Sequence, residues 1–280
     1  MINKNIRIIF FGSSSYVIPI IETLQRNFDF KLAVTTEKTD AGPITSYCKN
    51  ANLECINITN SKDPSLKNKI KKSAPVIGVV ADFGLIITKD VLNIFPKGII
   101  NIHPSLLPVY RGPTPVQSSI LNGDKKTGLS IIKIDEKVDH GPILFQTEEP
   151  IKDTDTSQSL YERLFRAGAQ ILPKIIDNYL NGEMPKDQNH TRATFTKTLC
   201  RGDGYIDINN PPAKNLIDRM IRAYYPWPGV WTKFKTNNKT LRVKLLPDKK
   251  LQAEGKKPIG YKDFFNGYPE AEKYFRKLYF

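Results

Sequence analysis

A chain of 280 residues with 40% apolar and 25% charged side chains has the composition of a globular protein, and the length for one large or two ordinary domains. No apolar run approaches the roughly 20 residues that cross a bilayer, and residues 6–11 are too short for a secretory leader, so no membrane is expected and the cytoplasm is the expected compartment. The net charge of +14 is concentrated after residue 180, where twenty Lys/Arg face ten Asp/Glu; such a field suits a polyanion such as nucleic acid, and also arises without purpose in a lysine-rich proteome. Taken in chain order, residues 6–11 (Ile-Arg-Ile-Ile-Phe-Phe) read as a first buried strand. Val17, Ile20, Ile21 and Leu24 recur at helical spacing and predict a helix over 17–25. Residues 30–35 read as a second strand, and 74–80 as a third that ends at Ala81-Asp82-Phe83-Gly84. A short helix near 89–94 then leads into a strand over 98–103, stopped by Pro104. Strands interleaved with helices at this rhythm predict parallel βαβ units in a Rossmann-like α/β sheet.

The pattern then changes. Residues 129–134 and 143–147 read as strands joined by the polar loop 135–142, an antiparallel excursion. A long helix over 157–180 starts near Thr154, Thr156 and Ser157 and stops at Asn181-Gly182. A boundary within 183–195 divides the chain into domains of residues 1–188 and 189–280. Beyond it come a helix over 215–223, the segment Pro226-Trp227-Pro228-Gly229, and strands over 230–235 and 241–246 around the hairpin signal Thr236-Asn237-Asn238.

Asn101 and His103 project from one side of their strand, one pleat apart, at the strand end where open α/β sheets bind ligands. An imidazole moves protons near neutral pH, and a carboxamide N–H stabilises a developing oxyanion. Asp139, in Val138-Asp139-His140-Gly141-Pro142, is the candidate carboxylate to orient His103 and stabilise its cation. On their own these residues fit an acyl-transfer site, and equally a structural histidine beside an ordinary turn. Cys48, Cys55 and Cys200 are odd in number and lack CxxC spacing; with only His103, His140 and His190 as imidazoles, neither a disulfide framework nor a metal centre is expected. Gly12-Ser13-Ser14-Ser15 lacks the dinucleotide fingerprint, because Ser14 and Val17 stand where its later glycines belong. Trp227 and Trp231 suit base stacking or the bracing of a domain junction.

The run Asn101-Ile102-His103-Pro104-Ser105-Leu106-Leu107-Pro108, with Asp139 lying 36 residues after His103, resembles the folate-dependent formyltransferases. Tyr110-Arg111-Gly112 and Thr114-Pro115-Val116-Gln117 narrow the resemblance to those that formylate methionyl-tRNA. Ala81-Asp82-Phe83-Gly84-Leu85-Ile86, Asn122-Gly123-Asp124 with Thr127-Gly128, Arg222-Ala223-Tyr224-Tyr225-Pro226-Trp227-Pro228-Gly229 and Gly255-Lys256-Lys257-Pro258 extend it over nearly the whole chain. The resemblance implies formyl transfer from 10-formyltetrahydrofolate to the amino group of methionine on initiator tRNA, without a metal. Asn101, His103 and Asp139 match the family's catalytic positions, and Ser105, Leu106, Leu107 and Pro108 its folate-binding segment. The backbone of Phe83, Gly84 and Leu85 and the loop from Asp135 to Asp139 would flank the pterin. A monomer is expected.

Two departures stand out. The loop at 36–45, which in the family is long, basic and meets the tRNA, is short here, lacks arginine and carries one lysine against two acids. The roughly fifty residues after Pro228 are too few to close a five-stranded barrel, so a reduced, OB-like but incomplete β-containing domain is expected: a hairpin and a helix over 268–278, with lysines that hold tRNA phosphates. Two other readings are an N-formyltransferase acting on a sugar-nucleotide amine, which the short loop would suit, and a non-catalytic RNA-binding protein on the same scaffold.

Overall fold

The strands of the first half are apolar on both faces, the pattern of a parallel sheet covered by helices on both sides. The computed structural model, which describes residues 4–37, 41–236 and 239–279, bears this out. Strands β1 (Arg7–Phe11), β2 (Asp29–Thr35), β3 (Cys55–Asn57), β4 (Ile77–Val80) and β5 (Ile99–His103) alternate with helices α1 (Ile18–Asn27), α2 (Pro43–Asn50), α3 (Pro64–Lys72) and α4 (Lys89–Leu92). After α5 (Pro115–Asn122) come β6 (Lys126–Lys133), β7 (Ile143–Pro150) and the long α6 (Ser157–Leu180). The seven-stranded sheet runs β3-β2-β1-β4-β5-β6-β7; its first five strands are mutually parallel and β6 lies antiparallel to β5. One face of this sheet buries Ile9, Phe11, Leu32, Val34 and Ile99 against Leu66 and Ile70 of α3 and against Val91 and Phe95.

Chain order reverses between β1 and β4, and ligands of open α/β sheets bind outside the strand ends at such a switch point. Here the chain makes a tight approach. Gly12 N–H donates to Val34 O and Ser13 N–H to Asp82 O, both at 3.0 Å. A Cβ on Gly12 would stand 2.8 Å from Ala81 O, so only glycine fits.

Packing divides the chain into two units interleaved along the sequence. The first comprises Met1–Pro113, Thr127–Glu149 and Tyr161–Phe195, and the second Thr114–Lys126, Pro150–Leu160 and Thr196–Phe280. The second unit contains α7 (Lys214–Ala223) and an antiparallel sheet of β8 (Val230–Lys235), β9 (Thr240–Leu246), β10 (Lys250–Ala253) and β11 (Ile259–Gly260), in the order β11-β10-β9-β8. It ends in α8 (Tyr261–Gly267) and α9 (Glu272–Tyr279). An aromatic cluster forms its core: Phe264 lies 4.9 Å from Tyr268 and 5.8 Å from Phe275, and Phe234 of β8 stands edge-on to Phe275 at 5.7 Å.

The expected hairpin is thus part of a four-stranded sheet. The turn that adds β10 places Asp248 and Lys249 at φ +58° and +53°, the primed geometry that hairpin twist prefers, built without the usual Asn-Gly signature. The C-terminal helix begins at Glu272, after a 3-10 turn over Pro269–Ala271, rather than at 268. Asn237 and Asn238 of the hairpin signal, and Lys38, Thr39 and Asp40 of the short loop, lie outside the described residues. Among the described residues no helix is long and apolar enough to cross a membrane.

Candidate active site

β5 is a central strand paired with β4 on one side and β6 on the other, so its backbone hydrogen bonds hold both alternate side chains in register. Ile100 and Ile102 are buried on one face, and Asn101 and His103 emerge on the other. After Pro104 the chain folds on itself through residues 105–109. Ser105 Oγ donates to Val109 O at 2.7 Å, Leu107 N–H to Ser130 Oγ at 3.1 Å, and Ser130 Oγ to Ser105 O at 2.6 Å. Gln146 Nε2 closes the loop on Leu107 O at 2.9 Å. Ser105 and Leu107 are buried inside this loop and determine its shape, while Leu106 and Pro108 are half-buried at its surface. Leu106 sits directly over Gly128, where a Cβ would lie 2.4 Å from it and 2.1 Å from Thr147 O.

Tyr110 then adopts φ +61° and Gly112 φ +106°. This left-handed turn brings Tyr110 O within 3.0 Å of His103 Nε2, and aims Gly112 N–H at Asp139 Oδ2, 2.8 Å away. A carbonyl only accepts, so His103 carries a proton on Nε2. Nδ1 faces Asp139 Oδ2 at 3.5 Å. Asp139 Oδ1 accepts from Asn101 Nδ2 at 3.1 Å. The three expected catalytic residues therefore form one cluster at the end of β5, with the His103 side chain 5% and the Asp139 side chain 12% exposed.

Asp139 itself is left-handed, at φ +48°. Gly141 follows with its α-carbon pressed on the preceding strand, where a Cβ would stand 1.8 Å from Lys133 O. Asp135 belongs to the same loop, but its carboxylate is occupied there: Oδ2 binds His140 Nδ1 at 2.6 Å and Oδ1 accepts from Lys137 N–H at 2.9 Å. Phe83, Gly84 and Leu85 follow β4, the parallel neighbour of β5. Phe83 meets Phe11 edge-on at 5.6 Å, Leu85 packs on the core, and Gly84 is exposed, with Thr36 Oγ1 3.7 Å from where its Cβ would be.

Sequence reasoning missed the segment that ties these loops together. Residues 186–195, read as part of a domain boundary, run as a strap along the first unit. Lys186 and Ile143 exchange backbone hydrogen bonds of 2.7 and 2.8 Å. Gln188 Nε2 donates to Asp139 O at 2.9 Å and to Gly141 O at 2.7 Å. Thr194 Oγ1 accepts from Tyr110 N–H at 2.8 Å, and Thr194 O from Arg111 N–H at 2.9 Å. The guanidinium of Arg111, 3% exposed, donates through Nη2 to Gln188 Oε1 at 2.6 Å and to His190 Nδ1 at 2.8 Å. His190 stacks on His140 with ring centroids 3.9 Å apart. Desolvation first, then the charges of His140 and Arg111, hold the His190 pKa below its ordinary 6.5. The one sequence signal for this strap is Arg111-Gly112, within a recognised motif; nothing near Gln188 marks it. Among the described residues no group of three or more His, Cys, Asp or Glu side chains has a metal-holding arrangement.

A carboxylate, an imidazole and a carboxamide meet at one strand end, groups whose chemistry suits acyl transfer. The family model described as formyl transferase matches residues 8–176. Methionyl-tRNA formyltransferase of Roseiflexus sp. (strain RS-1) is 39% identical over 241 residues, 82% of this chain and 74% of that protein. Among solved structures, a 4-N formyltransferase from Francisella tularensis superposes with a TM-score of 0.69 at 19% identity, over 88% of this chain and 100% of that one. Methionyl-tRNA formyltransferase from Clostridium thermocellum superposes with a TM-score of 0.62 at 20% identity, over 91% of this chain and 99% of that one. The two structures share the fold, and the family match with the 39% relative goes further: the chain belongs to the formyl transferase family, on the branch of the methionyl-tRNA formyltransferases.

Proposed function

We propose that this enzyme transfers the formyl group of 10-formyltetrahydrofolate to the amino group of methionyl initiator tRNA, with Asn101, His103 and Asp139 as its catalytic residues. The observation that carries this reading is the joint grip on Asp139: Asn101 Nδ2 on one carboxylate oxygen, Gly112 N–H on the other, and His103 Nδ1 beside it. The donor supplies the formyl carbon as electrophile. As the amine adds to that carbon, His103 Nδ1 takes the proton the amine loses and later delivers it to the departing folate nitrogen. Asn101 Nδ2 has two N–H groups; one is engaged by Asp139, and the other donates to the formyl oxygen as it gains charge. Asp139 orients both partners and faces the imidazolium with a negative charge.

A pterin edge alternates donors and acceptors and suits backbone recognition. The exposed backbone at Gly84, with Phe83 and Leu85 on either side, and the loop from Asp135 to Asp139 fit that role. Leu106 and Pro108 supply apolar surface, and Ser105 and Leu107 shape the loop that presents it. In this assignment residues 1–188 carry out catalysis, residues 189–280 hold the tRNA, and the enzyme works as a cytoplasmic monomer.

Purified enzyme supplied with 10-formyltetrahydrofolate and charged initiator tRNA should yield formylmethionyl-tRNA. Transfer to an amino-sugar nucleotide with none to the tRNA would overturn the acceptor assignment. Binding of tRNA without any transfer would favour the non-catalytic scaffold. His103→Ala should lower turnover by about 10²–10⁴-fold while folate binding persists.

A further inference from the structure

Gln188 is 5% exposed, and its side chain grips the backbone of the Asp139 loop directly. Its orientation is settled by chemistry. The Arg111 guanidinium can only donate, so the Gln188 oxygen faces Arg111 and both amide hydrogens face the loop. Those hydrogens take the carbonyls of Asp139 and Gly141, on either side of His140. Asp139 sits in a left-handed conformation that a non-glycine residue leaves readily unless its surroundings hold it. The turn that carries Arg111 grips the other end of this residue, because Gly112 donates its N–H to the Asp139 carboxylate. Backbone and side chain thus close a ring: Asp139 carboxylate, Gly112 N–H, Arg111 guanidinium, Gln188 amide, Asp139 carbonyl.

We propose that Gln188, anchored by Arg111, is a positioning residue that sets the Asp139 carboxylate against Asn101 and His103. This rests on the catalytic role assigned to Asp139 above. Gln188→Met keeps the length of the side chain and removes both donors. It should lower kcat by about tenfold to a hundredfold, the cost of a misplacement near 1 Å, with KM for tRNA and folate little changed. A double-mutant cycle separates positioning from general stabilisation. In an Asp139→Asn background, Gln188→Met should cost almost nothing further, because the group it positions is already disabled. An equal fold-loss in both backgrounds, or unchanged kcat in the single variant, overturns the proposal. Full activity of Asp139→Asn by itself would instead overturn the catalytic reading. Should Gln188→Met fail to fold, Gln188→Glu is read in the same cycle, since it can still meet Arg111 but cannot donate to either carbonyl.

Discussion

Gly141 fixes the path of the Asp139 loop past β6. Its α-carbon lies so close to Lys133 O that a methyl group there would stand at 1.8 Å, and the obstacle is backbone, which cannot swing away. Gly141→Ala should therefore displace the Asp139 loop and lower kcat by about 10²-fold, while circular dichroism shows the sheet intact. Near-native turnover would mean that the loop has another route past β6. His190 makes a second prediction. Arg111 donates to its Nδ1, so the neutral imidazole is the form that fits, and its pKa lies below 6.5. A histidine held neutral binds fewer protons folded than unfolded, so stability falls as pH drops from 6.5 through the lowered value and is unaffected well above 6.5. Thermal unfolding of His190→Gln should show a weaker loss on acidification than the parent enzyme; identical pH profiles would remove His190 from the balance. That Asn101 and His103 share one face of β5 was legible in the sequence because alternation along a strand is a local rule. The left-handed turns at Tyr110, Gly112 and Asp139, and the reach of Gln188 across 49 positions to Asp139, obey no local rule and appear only in three dimensions.

At the scale of elements, legibility follows the strength of the apolar pattern. β1, β2, β4 and β5, α6 and α7 have dense periodicity, and the sequence-based ranges agree with them to within a few residues. Two elements that sequence reasoning missed have little: α3 buries only Leu66 and Ile70 among four lysines, and β3 is three residues long. β10 follows a primed turn made of Asp-Lys rather than Asn-Gly, so the usual hairpin mark is absent. The second unit offsets its short sheet with aromatic rings from β8, α8 and α9, which bury area that a small barrel would otherwise supply. Phe264 and Phe275 are essentially fully buried, at 1% and 0% exposure. Phe264→Ala should cost about 3–5 kcal/mol in urea unfolding followed by a probe in this unit. A loss below about 1 kcal/mol would show that the cluster collapses around the gap and does not hold the sheet.

Charge acts over the whole molecule. Most of the excess of Lys/Arg sits in the last hundred residues, and on β8 and β9 the residues that alternate with buried ones include Trp231, Lys233, Lys235, Arg242 and Lys244. Arg242 lies over the Trp231 ring at 4.3 Å, so this face combines fixed cations with an aromatic surface. In the loop at 36–45, Glu37 is turned to another use: it accepts from Ile44 N–H at 2.6 Å and Thr45 N–H at 3.0 Å and so caps α2. If tRNA is held by the second unit, its binding must then depend on salt in proportion to the phosphates these cations meet. KM for charged tRNA should rise steeply with ionic strength, while KM for the folate donor, for which the proposed contacts are backbone and apolar surface, should change little. Replacing Lys233, Lys235 and Lys244 together by Gln should weaken tRNA binding and flatten the slope of log K against log salt by about 0.9 for each phosphate no longer neutralised. The folate KM and the turnover at saturating tRNA should stay as they were. An unchanged slope would mean that the acceptor stem is gripped elsewhere on the chain, and that the basic sheet is surface charge without a partner.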